Sequence, residues 1–180
     1  MANICNFSML VKGKHEDIEA FYNAMQQEGK FCMGRGAEAD IHYEDDEKLA
    51  EIDGWCKWSV ESSLIDNAID MREHPERWSW GGEEKSNEME FITLPEACAK
   101  WNLVMEVYSE EPGCEFQEHL IIDKGNWIAH DCVDYAEYYI GEYDTKEEAE
   151  EELGIIITDE EWEREDYVGR GGFPNWDFEI

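Results

Sequence analysis

Positive charge is the scarcest commodity in this chain: 14 Lys and Arg stand against 46 Asp and Glu, a formal net charge of −32 over 180 residues. A compact domain of this size has a radius of gyration of roughly 16 Å. Duplex DNA would need roughly 54 Å of its length to carry as much charge. Direct binding to nucleic acid or to an anionic membrane is therefore disfavoured. Long apolar runs are also missing, and nothing approaches the ~18 to 20 residues of a membrane span. The start of the chain has no basic region leading into an apolar stretch, so the sequence points to a cytoplasmic protein. The six cysteines, Cys5, Cys32, Cys56, Cys98, Cys114 and Cys132, are spread too widely to form a disulfide framework. Free, mostly buried thiols are expected.

Two other absences narrow the chemistry. No Asp-x-Asp-x-Asp-Gly calcium loop occurs. Gly34-Arg35-Gly36 is too short for a phosphate loop, and Gly169 to Gly172 has no helix after it. Cys56 and Cys98 sit within apolar-periodic segments and read as packing residues rather than nucleophiles. No cofactor and no catalytic set is expected.

What is present suffices for a core. The chain is 42% apolar and 13% aromatic, with 8 Trp, and its length suits one core with appendages. Ile4 to Val11 reads as a strand ending at Gly13. Ile18, Phe21, Tyr22 and Met25 then fall at i, i+3, i+4 and i+7 on a helix whose first turn carries Glu16 and Asp17 and whose stop is Gly29. Ala37 to Glu44 and Ile52 to Val60 are strand candidates joined by an acidic turn. Ser63 to Arg72 reads as helix ending before Pro75. Trp78 to Asn87 reads as an inserted loop. Thr93 and Glu96 form a capping box for a helix to Trp101, and Leu103 to Ser109 is a strand. The order is β-α-β-β-α-β, the ferredoxin-like plan: an α+β fold with an antiparallel sheet and helices on one face.

Beyond Pro112 and Gly113, Cys114 to Ile122 and Asn126 to Val133 form a hairpin. A two-residue turn would place Trp127 opposite Ile122, Ala129 opposite Leu120, and His119 opposite His130. Cys132 would lie beside the two imidazoles, a set with zinc-binding chemistry, while Cys114 would point to the other face. Capping boxes Thr145 with Glu148 and Thr158 with Glu161 start short acidic helices. The apolar tail Phe173, Trp176, Phe178 and Ile180 is expected to dock on the body. The division read from this is 1–133, a ferredoxin-like domain with an added hairpin, and 134–180, an acidic helical extension packed on it.

Several of these segments resemble the YubB ferredoxin-like family of plasmid and phage proteins. The opening Met1-Ala2-Asn3-Ile4-Cys5-Asn6, the strand ending in Gly13, and the helix with Ile18 and Phe21 are similar to that family's start. Gly54-Trp55-Cys56-Lys57-Trp58-Ser59-Val60 resembles its central Trp-containing strand. Glu106 to Gly113 with Phe116-Gln117-Glu118-His119 resembles its second signature. The likeness covers roughly residues 1–133, leaves out Trp78 to Asn87, and transfers no catalytic residues. It implies an accessory protein of a mobile element, among genes that often serve host takeover or anti-defence.

From Asp134 to Ile180 there are 17 acidic and 3 basic residues. Glu147 with Glu151, and Glu148 with Glu152, are like charges at i, i+4, each pair costing roughly 0.2 to 0.5 kcal/mol in an isolated helix. Keeping them points to a use for the charge. The leading expectation is an acidic inhibitor, a DNA mimic that fills the Lys- and Arg-lined groove of a nucleic-acid-binding defence protein. A CRISPR effector nuclease comes first and a restriction enzyme second. The contact residues expected are Glu147, Glu148, Glu150, Glu151 and Glu152; Asp159, Glu160, Glu161, Glu163, Glu165 and Asp166; and Asp45, Asp46 and Glu47. One alternative is a metal-dependent enzyme acting on nucleotide or nucleic acid through His119 and His130. Another is a non-inhibitory accessory protein whose acidity serves hydration. Trp55, Trp58, Trp78 and Trp80 are expected as core or interface anchors, since the surrounding charge repels a phosphate backbone.

Overall fold

Alternate residues of the first strand, β1 (Ile4–Lys12), carry its apolar side chains, so Cys5, Phe7, Met9 and Val11 all point to one face and are buried. The computed structural model describes residues 3–44, 48–77, 89–164, 166–174 and 176–180. Helix α1 (His15–Met25) follows and buries Ile18, Phe21, Ala24 and Met25. It ends before Gly29, because Gln27 enters the left-handed region at φ 60° and its side-chain amide donates to the Gly34 carbonyl. A two-residue strand β2 (Phe31–Cys32) pairs in parallel with β5 (Glu90–Phe91) in a small separate sheet. The sequence pattern does not reveal that pairing.

Strands β3 (Glu38–Tyr43) and β4 (Leu49–Lys57) form a hairpin. β4 starts at Leu49 and stops at Lys57 rather than running from Ile52 to Val60, because Trp58 takes φ 73° and breaks the strand. A π-helical turn (Ser62–Asp66) leads into α2 (Asn67–Glu73), which ends before Pro75. Helix α3 (Leu94–Lys100) has both halves of its capping box: Thr93 Oγ1 accepts from the Glu96 N–H, and Glu96 accepts from the Thr93 N–H. β6 (Val104–Glu111), β7 (Phe116–Asp123) and β8 (Asn126–Tyr139) continue the sheet. Beyond them lie α4 (Lys146–Leu153), α5 (Asp159–Arg164) and β9 (Tyr167–Gly171).

The seven-stranded sheet has the order β3-β4-β1-β6-β7-β8-β9, with every neighbouring pair antiparallel. Its first four positions are the split β-α-β arrangement of the ferredoxin-like plan, with β4 inserted between β1 and β3. β8 runs unbroken through residue 133, and the region after it contributes a strand as well as helices.

The inner face of the sheet packs on the helices. Phe7, Met9, Ile52, Met105, Val107, Leu120 and Ile122 meet Ile18, Phe21, Met25, Leu64, Leu94 and Cys98 in the main core. A second, smaller cluster joins Ile140, Ala149, Ile157 and Val168. All six cysteines are free; four are buried, while Cys114 and Cys132 are exposed. Among the described residues no helix is long and apolar enough to cross a membrane.

Candidate functional site

Two acidic surfaces rest on regular elements. On α4, Thr145 caps the first turn by accepting from the Glu148 N–H. Ala149 faces the small core, so Glu147, Glu148, Glu151 and Glu152 are left on the exposed side. Glu150 behaves differently: its carboxylate accepts from the Ile157 N–H at 2.8 Å and ties the α4–α5 connection.

On α5, Asp159, Glu160 and Glu163 are exposed. Asp159 lies 2.5 Å from Lys146 Nζ. Glu161 caps its helix reciprocally with Thr158 and forms an ion pair with Arg170 at 2.9 Å. Lys146 and Arg170 are thus both engaged inside the unit. Asp166 is exposed and its carbonyl accepts from the Ile140 N–H. Asp45, Asp46, Glu47 and Glu165 lie outside the described residues, as do Trp78, Trp80 and the expected loop from 78 to 87. Trp55 is half-buried and Trp58 exposed.

The second surface is one that helical spacing does not reveal. On the outer face of the sheet, β3 and β4 present Glu38, Asp40, Glu51 and Asp53, all exposed, and Asp40 stands directly opposite Asp53. Like charges directly opposite destabilise a sheet. The signal was available in the i, i+2 alternation of acidic and apolar residues in both strands, but it needs the β3–β4 register to bring the two rows together.

Charge crowding also marks the groups nearby. Burial, and after it Glu152, Glu142 and Glu148, push the Tyr143 phenol up. Burial, then Glu110 and Glu137, push the Tyr135 phenol up to about 12. The Glu137 carboxyl is itself raised, by burial and then by Glu110. In each case burial is the larger cause and the neighbouring carboxylates add to it.

The middle of the outer face is covered by the chain's last residues. The tail lies across β6 and β7, where Tyr108 meets the Phe173, Trp176 and Phe178 rings at 5.7, 5.8 and 5.7 Å and stacks on His119 at 4.3 Å. Buried Glu106 accepts from the N–H groups of Glu179 at 2.5 Å and Ile180 at 3.2 Å, and lies 2.8 Å from His119 Nε2. Gln117 accepts from the Phe173 N–H and donates to Glu110. On the inner face, buried Glu118 accepts from the Val60 N–H at 2.9 Å and Ser109 Oγ at 2.5 Å. Glu106, Gln117 and Glu118 are structural polar anchors that composition alone does not distinguish among so many carboxylates.

The histidine pair is corrected by one residue. Trp127 does face Ile122, but a β-bulge follows, with Ile128 as the extra residue. Thereafter Ala129 faces Ile121, His130 faces Leu120, Asp131 faces His119, and Val133 faces Gln117. His119 therefore lies on the outer face under the tail, and His130 on the inner face, stacked on Trp127 at 4.5 Å and 3.2 Å from Glu61. The two imidazoles do not converge. Among the described residues no group of three or more His, Cys, Asp or Glu has metal-holding geometry. Cys114 and Cys132, expected on opposite faces, line one groove.

Three of the buried thiols are held in the protonated form. Burial pushes Cys98 up to about 12. A hydrogen bond between the Cys5 thiol and Cys56, followed by burial, raises Cys5. No protein-family model, curated protein or solved structure matches the chain.

Proposed function

We propose that this protein is a polyanion mimic that occupies the cationic, nucleic-acid-binding surface of another protein. The observation that carries this reading is that like carboxylates stand side by side on regular elements. Glu147, Glu148, Glu151 and Glu152 do so along α4, and Asp40 and Asp53 do so across β3 and β4. Each arrangement costs stability in the free protein, and each cost is recovered when Lys and Arg of a partner approach. The resemblance to a mobile-element family adds a context, a phage or plasmid product acting on a host defence protein. Within it a CRISPR effector nuclease is the first partner to test and a restriction enzyme the second. The mechanism is competition: carboxylates take the places of phosphates, attraction over the whole surface speeds encounter, and salt weakens the complex.

The test uses a purified effector with duplex DNA and this protein as competitor. Replacing Glu147, Glu148, Glu151 and Glu152 by Lys, and separately Asp40 and Asp53, should weaken competition in at least one variant while the circular dichroism spectrum is retained. Further variants at Asp159 and Glu163, and at Asp45 to Glu47, complete the set. If the effector holds DNA and this protein together without loss of either, competition is the wrong mechanism. If all variants act like the parent, the acidity serves solubility.

A further inference from the structure

We infer that the uncovered edge of β8, residues 128 to 132, is a docking edge for an extended basic segment of a partner protein, which joins the sheet as an added strand. This deepens the reading above by giving the partner a backbone contact, and it rests on that reading only for the partner's charge.

The direction of the free groups follows from two hydrogen bonds. The Tyr135 N–H donates to the Glu115 carbonyl, so Tyr135 points its main chain toward β7. The Asp134 carbonyl accepts from the Gly172 N–H, so Asp134 points the other way, toward β9. Alternation along an antiparallel strand then directs Ala129, Asp131 and Val133 at β7, and His130 and Cys132 outward. β9 covers the outward side only from Tyr135 to Tyr139. There Gly171 and Gly172, at φ 78° and 74°, turn the chain off the edge and send it over the sheet face. Among the described residues no strand pairs with the outward side of His130 and Cys132.

Proteins blunt such edges with Lys, Pro, a covering loop or a β-bulge; here the bulge at Ile128 leaves residues 129 to 132 in regular pairing with β7. Residues 126 to 134 hold no Lys, Arg or Pro; their charged residues are Asp131 and Asp134. The edge also exposes apolar surface: Ile128 is 64% exposed, Trp127 40% and Trp58 45%. Trp58 is held in the left-handed region, a costly position for a bulky residue, with its indole beside the edge in a groove of about 220 Å³. That groove is lined by Ser59, Glu61, Phe116, Glu118 and Cys132 as well.

An incoming strand alternates its side chains. One set enters this groove, where a Lys or Arg meets both an aromatic face and the Glu61 carboxylate. The other set passes along the outer face beside Asp131. A second copy of this chain is a poor occupant, because self-pairing would bring two net charges of −32 edge to edge.

The probe is a ten-residue peptide of alternating Lys and Val, with a Glu and Val peptide as control, added to the full chain. Binding is followed by tryptophan fluorescence and by residue-resolved amide exchange. The basic peptide should bind, and the acidic one should not. The amides of His130 and Cys132 should slow by about tenfold or more. Cys132→Pro removes an outward N–H and no bond to β7, so it should keep the fold and weaken the peptide by about tenfold or more. Trp58→Ala, which leaves the edge amides in place, should weaken it as well. The Lys variants of α4 should weaken it less than Cys132→Pro does.

Equal binding by the parent, Cys132→Pro and Trp58→Ala would overturn the inference. So would protection confined to α4, no binding at all, or protection of the same amides by self-association without peptide. Competition with DNA that survives Cys132→Pro but is lost in the α4 variant would leave the polyanion reading standing and the edge refuted. The opposite pattern would refute the helix face and keep the edge.

Discussion

The body of the molecule and the unit built on β8 after Tyr139 are stabilised on very different scales. The body's main cluster contains 24 buried apolar residues sandwiched between one sheet face and three helices. The C-terminal cluster contains four, Ile140, Ala149, Ile157 and Val168, with Tyr143, Leu153, Ile155 and Trp162 packed around them. Yet residues 140–171 carry 13 acidic against 3 basic side chains. The most concentrated charge thus sits on the thinnest core, and the small unit depends on caps and the pairs Lys146–Asp159 and Arg170–Glu161 for what burial does not supply. An acidic surface that is loosely held can adapt to a partner, whereas the body supplies a rigid edge and sheet face.

The largest effect that separates the two is core truncation. Leu120 is fully buried, so Leu120→Ala should cost about 2–5 kcal/mol and lower the midpoint of the whole unfolding transition. Ile157→Ala removes a similar side chain from the small cluster. It should speed amide exchange in α4, α5 and β9 while leaving the amides of β1 and β6 at their parent rates. If Ile157→Ala lowers protection in β1 as much as Leu120→Ala does, the two clusters unfold as one and the comparison fails.

Next comes the strap between the regions. Glu106 is buried and holds the last two amides of the tail, so Glu106→Ala leaves them without that acceptor and should cost about 1–3 kcal/mol. The tail would release Trp176 from Tyr108, seen as a red shift in tryptophan emission. An unchanged spectrum would show that the aromatic contacts alone seat it.

pH sharpens the contrast further. Glu137 has a raised carboxyl, through burial and then Glu110, so its ionised form is disfavoured in the fold. That penalty is present at neutral pH and relieved as the pH falls through its folded value toward the ordinary 4.5. Glu161 is lowered by the Thr158 N–H, despite some burial, with Arg170 helping. At Glu96, burial acts to raise the carboxyl, and the Thr93 N–H and Arg72 outweigh it. Both therefore contribute stability that is complete above 4.5 and lost as the pH falls below it. The thermal midpoint should rise modestly on acidification from neutral pH and fall below about 4.5. A midpoint that declines steadily from neutral pH would show that repulsion is a minor cost here.

The sequence made the body legible because its apolar residues recur at two unmistakable periods. β1 alternates, α1 follows i, i+3, i+4 and i+7, and Thr93 with Glu96 marks a helix start that needs no tertiary information. Tail docking was readable from Phe173, Trp176, Phe178 and Ile180. The histidine pairing was not, because the bulge at Ile128 leaves no mark in the alternation of residue types, and one extra residue moves every later side chain to the other face. Nor could the Asp40–Asp53 surface be read, since it requires a cross-strand register. Among 46 carboxylates, those that anchor the fold (Glu106, Glu118, Glu150) differ from those on the surface only in their surroundings.

The smallest expected effect is the most local version of the same comparison. Thr93 and Thr158 each complete a reciprocal capping box, Thr93 beneath the main sheet and Thr158 on the exposed α5. Replacing either by Ala removes one backbone acceptor and should cost about 1 kcal/mol. In Thr93→Ala the cost falls on a helix that buries Leu94, Ala97 and Cys98 in the main core, so it lowers global stability. In Thr158→Ala it falls on a six-residue helix with little burial, so it raises local opening of α5 and leaves the global midpoint almost unchanged. Equal cost with unequal reach is what two unequal cores require. Equal loss of global stability from the two caps, measured by urea denaturation alongside amide exchange, would mean that the acidic unit is as firmly coupled as the body.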